Sequence, residues 1–230
     1  MGTSWEELEI RATTYIKNDL SLDWDKANRL PVFYNRMKAY MIEAIPKFNR
    51  PPEMLERLSG YSEPEFETMD STIENLEPDA TEYVVSTEFL GANIVCAGAI
   101  LTDQYGDVDY TPVPCSYNPE TGDVTLTGEF EDGMPVEIDF YWSGSFRVDL
   151  NETEKGILAF AIYNRYEHRF DNDVLERQAK IRDSAFTTIS EASQTQAGTA
   201  RQREVDSQLY GMLRAYQDNV EYMRLKNGGL

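Results

Sequence analysis

The chain has two cysteines, one histidine and, through its middle third, almost no basic side chain. Each scarcity excludes a class of chemistry. Cys96 and Cys115 are too few for a disulfide framework. Both lie in apolar, strand-like surroundings, so two buried free thiols are favoured over a single bridge closing a modest loop, and no metal site follows from them. His168 sits in the charged run Arg165-Tyr166-Glu167-His168-Arg169, with no cysteine or second histidine at ligand spacing, and is read as a solvated or capping residue. Ser-His-Asp hydrolysis would need that one histidine as its base, and no Gly-x-Ser-x-Gly elbow accompanies it. The glycines at 91, 98, 106, 122, 128, 133, 144 and 156 never take phosphate-loop or dinucleotide spacing, so no nucleotide cofactor is expected.

Long apolar runs are also missing. The longest, Phe89 to Leu101, is interrupted by Gly91, Asn93 and Gly98 and reads as buried strand rather than a membrane span. The opening Gly-Thr-Ser-Trp-Glu-Glu-Leu-Glu lacks the basic and apolar regions of a secretory signal, and Glu6 stands where a myristoylation motif needs Ser or Thr. No catalytic residue, cofactor, metal or membrane attachment is expected.

What the 230 residues do contain is enough core material, 41% hydrophobic and 12% aromatic, and a net charge of -20. The charge is unevenly placed. Residues 1–60 hold nine basic and nine acidic side chains, and residues 151–230 hold eleven and twelve; residues 61–150 hold twenty acids against Arg147 alone. Such density is tolerated only where most carboxylates meet water, so the middle should be peripheral and the balanced ends should form shared interior and subunit contacts. The same charge repels nucleic acid and anionic membranes and leaves a cationic partner open.

Periodicity divides the chain in the same way. Ser4 and Glu7 read as a capping box for a helix over 4–18 that carries Leu8, Ala12, Tyr15 and Ile16. Pro31 opens a second helix through Phe33, Met37 and Ile45, which Pro46 ends, and Pro52 opens a short third one that stops at Gly60. Residues 61–80, acidic and carrying two prolines, read as a linker. From Tyr83 the period becomes two, in runs at 83–89, 94–101, 124–130, 136–142 and 146–150 separated by turn residues. Asn151 with Glu154 is a second capping box, Asp173 is a candidate cap for a further helix ending near Ile189, and 190–204 reads as either a polar connector or a helix formed only against a partner.

The expectation is an α+β protein: an N-terminal helical segment (1–60), an acidic linker (61–80), an inserted acidic antiparallel β-sandwich or barrel-like domain (81–150), and a C-terminal helical segment (151–230) packing with 1–60. Val205, Leu209, Met212, Leu213, Tyr216, Val220 and Met223 form a stripe at steps of three and four, buried either within one protomer or between protomers, and are the candidate subunit interface. Two weaker readings attach to the β-domain. Asp103, Asp107 and Asp109 could gather on a cation but lack the remaining ligands of a calcium loop. Tyr105, Tyr110, Tyr117, Tyr141 and Trp142 could stack on sugars, making the domain a carbohydrate- or protein-binding module, while strand aromatics ordinarily pack in the core.

The N-terminal third carries Trp5-Glu6-Glu7-Leu8, Tyr15-Ile16-Lys17-Asn18-Asp19, Phe33-Tyr34-Asn35-Arg36-Met37-Lys38-Ala39-Tyr40-Met41 and Ala44-Ile45-Pro46-Lys47-Phe48-Asn49-Arg50-Pro51-Pro52-Glu53-Met54. This pattern, with helices around an inserted β-domain and a long terminal helix, resembles the head-to-tail connector or neck adaptor proteins of tailed bacteriophages. The resemblance implies a structural virion protein of the neck, assembled in the bacterial host cytoplasm as a homo-oligomeric ring commonly of about twelve copies. Its implied partners are copies of itself, the portal protein and another neck or tail protein, with DNA passing through the ring without sequence-specific binding.

Overall fold

The computed structural model describes residues 2–17, 19–77, 80–102, 108–180 and 189–227, the side chains of 102, 108 and 170–197 excepted. The fold is α+β, with helices from both ends of the chain flanking an antiparallel β region. The chain divides into two compact units. One, the helical unit, comprises Met1–Lys17, Lys38–Tyr61 and Phe146–Leu230; the other, the acidic unit, comprises Asn18–Met37 and Ser62–Ser145.

In the helical unit α1 (Trp5–Thr13) starts where Ser4 Oγ accepts from the Glu7 N–H at 3.3 Å. The reciprocal arm of the expected capping box is not made, because the Glu7 carboxylate binds Lys155 Nζ at 2.7 Å. α1 is shorter than the spacing predicts. Thr13 and Thr14 turn their hydroxyls back onto the carbonyls of Ile10 and Arg11, at 2.7 and 2.8 Å, which competes with continuation of the helix. α4 (Pro52–Leu58) and the 3-10 turn Ile45–Lys47 stand where the prolines place them.

Both arms of the second capping box are present: Glu154 N–H donates to Asn151 Oδ1 and Asn151 N–H to Glu154 Oε2, each at 2.9 Å, at the head of α5 (Glu152–Lys180). Two expectations fail beyond it. Asp173 lies inside α5 rather than capping a new helix, since no Gly or Pro interrupts the run. Of the two readings of 190–204 the connector is overturned: the stretch is helical, as part of α6 (Ile189–Lys226). Gly198 costs about 1 kcal/mol against Ala; the Arg201–Glu167 ion pair at 2.7 Å and buried Val205 anchor the helix just beyond it. Trp5, Leu8, Met41, Phe48, Leu58, Ile157, Leu158 and Ile162 form the interior.

The acidic unit contains α2 (Leu20–Asn28), the first half of α3 (Leu30–Ala44) and most of the strands: β2 (Glu65–Thr72), β3 (Glu82–Val85), β4 (Ile94–Thr102), β5 (Val108–Val113), β6 (Cys115–Tyr117), β7 (Val124–Thr127) and β8 (Pro135–Trp142). β1 (Tyr61–Ser62) and β9 (Ser145–Phe146) form a separate two-stranded ribbon. A four-stranded sheet in the order β2-β8-β4-β5 and a three-stranded sheet in the order β3-β7-β6 share one core: Val136, Ile138, Phe140 and Ala97 from the first, Val85, Val124 and Leu126 from the second, with Ile73 between. This is the expected sandwich.

Two domain boundaries change. Residues 61–80 are not a linker, because β2 pairs with β8 from Glu65↔Trp142 to Thr72↔Pro135. The sequence hides this strand: on a sheet edge most of its side chains reach water, so acids outnumber apolar residues, and an acidic edge resists further pairing. Residues 18–37 group with the β-strands. β8 explains why. Its alternate residues Glu137, Asp139 and Tyr141 point away from the sandwich core, and Arg29, at the junction of α2 and α3, and Tyr34 of α3 meet them.

Candidate interaction surface

α6 is positioned by α5. Glu154 faces Tyr216, Asn164 faces Asp206 and Glu167 faces Arg201, so partners on α6 recede as α5 advances and the two helices run antiparallel. His168 Nε2 lies 3.0 Å from Asp206 Oδ1, so the single histidine pins this helix pair rather than capping a helix end. Val205, Leu209 and Leu213 are buried inside the helical unit. They are therefore not available to a neighbouring protomer, and the seven-residue stripe is corrected at these positions: an unbroken α5 gives them an internal partner. Met212, Tyr216 and Val220 are half-buried, and Met223 is exposed.

Tyr216 marks where coverage ends. Its hydroxyl donates to Glu154 Oε1 at 2.5 Å, and Arg57 Nη1 reaches the same oxygen at 2.7 Å. Burial raises the Glu154 pKa, but the Tyr216 hydroxyl, the Asn151 N–H and the Arg57 guanidinium outweigh it, and the carboxyl titrates below its ordinary value. Burial and the neighbouring Glu154 push Tyr216 up to about 12. Beyond it a groove of about 770 Å³ opens between the start of α5 and the end of α6, lined by Asn151, Thr153, Val220, Met223 and Asn227 among others. Tyr222 and Leu225, exposed on the opposite side of the last turns, complete an apolar helix end that no described residue of the helical unit covers. A search for one continuous stripe misses these two, because they sit roughly a quarter to half a turn away from it.

The acidic unit has its own buried polar centre. Asp139 is fully buried; Arg29 donates to its Oδ2 from Nε at 3.0 Å and Nη2 at 2.8 Å, and Thr68 donates to its Oδ1 at 2.8 Å. Arg29 also pairs with Glu137, whose pKa burial still holds above the ordinary value. The guanidinium lies 4.1 Å over the Tyr110 ring, and Trp24 meets that ring edge-on. Cys96 Sγ is 3.6 Å from Asp139 Oδ2, and burial first and Asp139 second push its thiol up to about 12.

The chain matches no family model, no curated protein and no solved structure.

What remains is the chemistry of the side chains themselves. Arg29 and Thr68 engage both oxygens of Asp139, so its side chain braces the Arg29 segment against the sheet. Both cysteines are free, and their raised pKa values keep them as thiols. The four described aromatics among those considered for sugar stacking do not form a platform. Tyr141 is buried, Tyr117 donates to the Phe89 carbonyl at 2.6 Å, Trp142 stacks on Phe140 and Tyr110 lies beneath Arg29, while Tyr105 is outside the described residues. Of the three aspartates weighed as cation ligands, Asp103 and Asp107 are also outside them; among the described residues no three candidate ligands lie together. No helix among those residues is long and apolar enough to cross a membrane.

Proposed function

We propose that this chain is a structural, non-enzymatic adaptor subunit of a tailed-phage neck, assembling with copies of itself into a ring between portal and tail, around the channel through which DNA passes. The observation that carries this reading is the agreement between the charge boundary and the boundary of the compact units. The helical unit holds eighteen basic and nineteen acidic residues, and the acidic unit holds three and twenty-two. A nearly neutral unit with an uncovered apolar helix end can bury surface against another protein. A unit with net charge -19 repels its own kind and repels phosphate, which suits a lining or collar past which DNA must slide without sticking. The resemblance in the N-terminal third names the setting, assembly in the host cytoplasm and residence in the virion neck.

Sedimentation and native mass measurement of the chain, alone and mixed with a portal complex, test this. Closed rings, or rings formed on the portal, are expected. A chain that stays monomeric and unbound in both settings overturns the reading.

A further inference from the structure

Of the large apolar side chains described, the two most exposed are Leu20, at 82%, and Leu225, at 75%. They lie on different units, Leu20 at the start of α2 and Leu225 at the end of α6. Each heads a small surface of the same design. On α2, Leu20, Asp23 and Trp24 stand at i, i+3 and i+4, which places them on one helix face, and all three are exposed. On α6, Tyr222, Leu225 and Lys226 repeat that spacing, and all three are exposed. Each triad has one leucine, one aromatic ring and one charge, and the charges are opposite.

Asp23 adds its charge to the start of α2, and Lys226 adds its own to the last turn of α6, so each also complements its helix dipole and gains little by turning away. Lys26, the one lysine of the acidic unit, falls off the Leu20 face by the helix period. Two α2 faces brought together would oppose aspartate to aspartate. Two α6 ends laid in parallel would oppose lysine to lysine, whereas the unlike pair sets Lys226 against Asp23.

Resting on the ring reading above, we infer that copies of this chain join head to tail, with the Tyr222-Leu225-Lys226 face of α6 in one copy docking on the Leu20-Asp23-Trp24 face of α2 in the next. Leu225 and Tyr222 cover Leu20 and Trp24, and Lys226 pairs with Asp23 at the rim. Because the two surfaces differ, the contact is heterologous, and repeating it closes a ring when the rotation permits. The ion pair fixes polarity and makes assembly weaken with salt; the apolar pairs supply most of the affinity.

The test uses the full-length chain in sedimentation velocity, with circular dichroism confirming that each variant keeps its helices. Leu20→Glu and Leu225→Glu, both at exposed helix ends, are each expected to weaken self-association about tenfold or more. Mixed together, the two variants should give dimers and nothing larger, since only one intact pair of faces remains between them. Asp23→Lys and Lys226→Glu should each weaken assembly, and the double variant should restore it.

Rings that persist in both leucine variants, or a charge swap without restoration, overturn this assignment while leaving the ring reading standing. A wild-type chain that never assembles, alone or on the portal, removes both.

Discussion

Arg29 and Asp139 hold a helix layer onto a sheet: two hydrogen bonds of 3.0 and 2.8 Å join the guanidinium to one oxygen of a fully buried carboxylate. Desolvating both charges uses up most of what their attraction gives, so the pair matters chiefly when one partner is lost. Arg29→Met should destabilise the acidic unit by about 3–5 kcal/mol because Asp139 is then buried and uncompensated. The double variant Arg29→Met with Asp139→Leu should recover much of that loss. Urea unfolding of the four members of the cycle measures both quantities; equal stability of the single and double variants would show that Asp139 finds another partner.

Glu9 presents the opposite case. It is fully buried on α1, and neither carboxyl oxygen has a hydrogen-bond partner among the described residues. Burial first, and the nearby Glu6 second, hold its pKa well above the ordinary value. The folded state therefore keeps a proton that the unfolded chain loses. That contribution is fully present below the unfolded carboxylate value and is lost progressively as pH rises towards the folded one. Glu9→Met should raise stability at neutral pH by about 1–3 kcal/mol and flatten the decline of stability with pH. Thermal melts of both proteins across the pH range check this, and parallel curves would count against it.

Glu154 should show the reverse sign. Its folded pKa is lowered, so the stability its contacts provide is present above the ordinary carboxylate value and is lost as pH falls through the lower folded one. Glu154→Gln should remove part of the acid sensitivity below about pH 4.5. Tyr216→Phe, which deletes a 2.5 Å hydrogen bond to the charged carboxylate, should cost about 1.5–3 kcal/mol at neutral pH. Acid unfolding followed by circular dichroism distinguishes these variants from wild type.

Cys96 and Cys115 should be poor nucleophiles in the folded chain, because burial raises both thiols. Alkylation by iodoacetamide at pH 8 should be about tenfold or more slower than in the unfolded chain. Mass spectrometry of timed samples gives the rates, and similar rates in the two states would show that the strands around both cysteines open readily.

Much of the helical unit was legible in the sequence because its signals are local. Asn151 and Glu154 specify a helix start within four residues, and Pro46 and Pro52 specify an end and a beginning without reference to anything distant. The strands around Val136–Trp142 were legible through their alternation. β2 was not, since an edge strand facing water carries the composition of a loop. Half of the candidate surface was legible too. The stripe from Val205 to Met223 was evident from its spacing, but that spacing is the same whether a helix is covered from inside or outside.

The sequence by itself determined where the charge lies, which segments are helical at their starts, and that a β region of nearly uniform negative charge interrupts balanced flanks. Composition and short-range periodicity carry that information whatever the chain does next. Only the tertiary structure decided that residues 18–37 belong with the strands, that Asp139 is buried beneath Arg29, and that the first half of the α6 stripe is used internally while Tyr222 and Leu225 remain open. These outcomes depend on pairing between groups far apart in the chain. A lone carboxylate on an outward strand position looks solvated until the one arginine that can neutralise it is brought across the sheet.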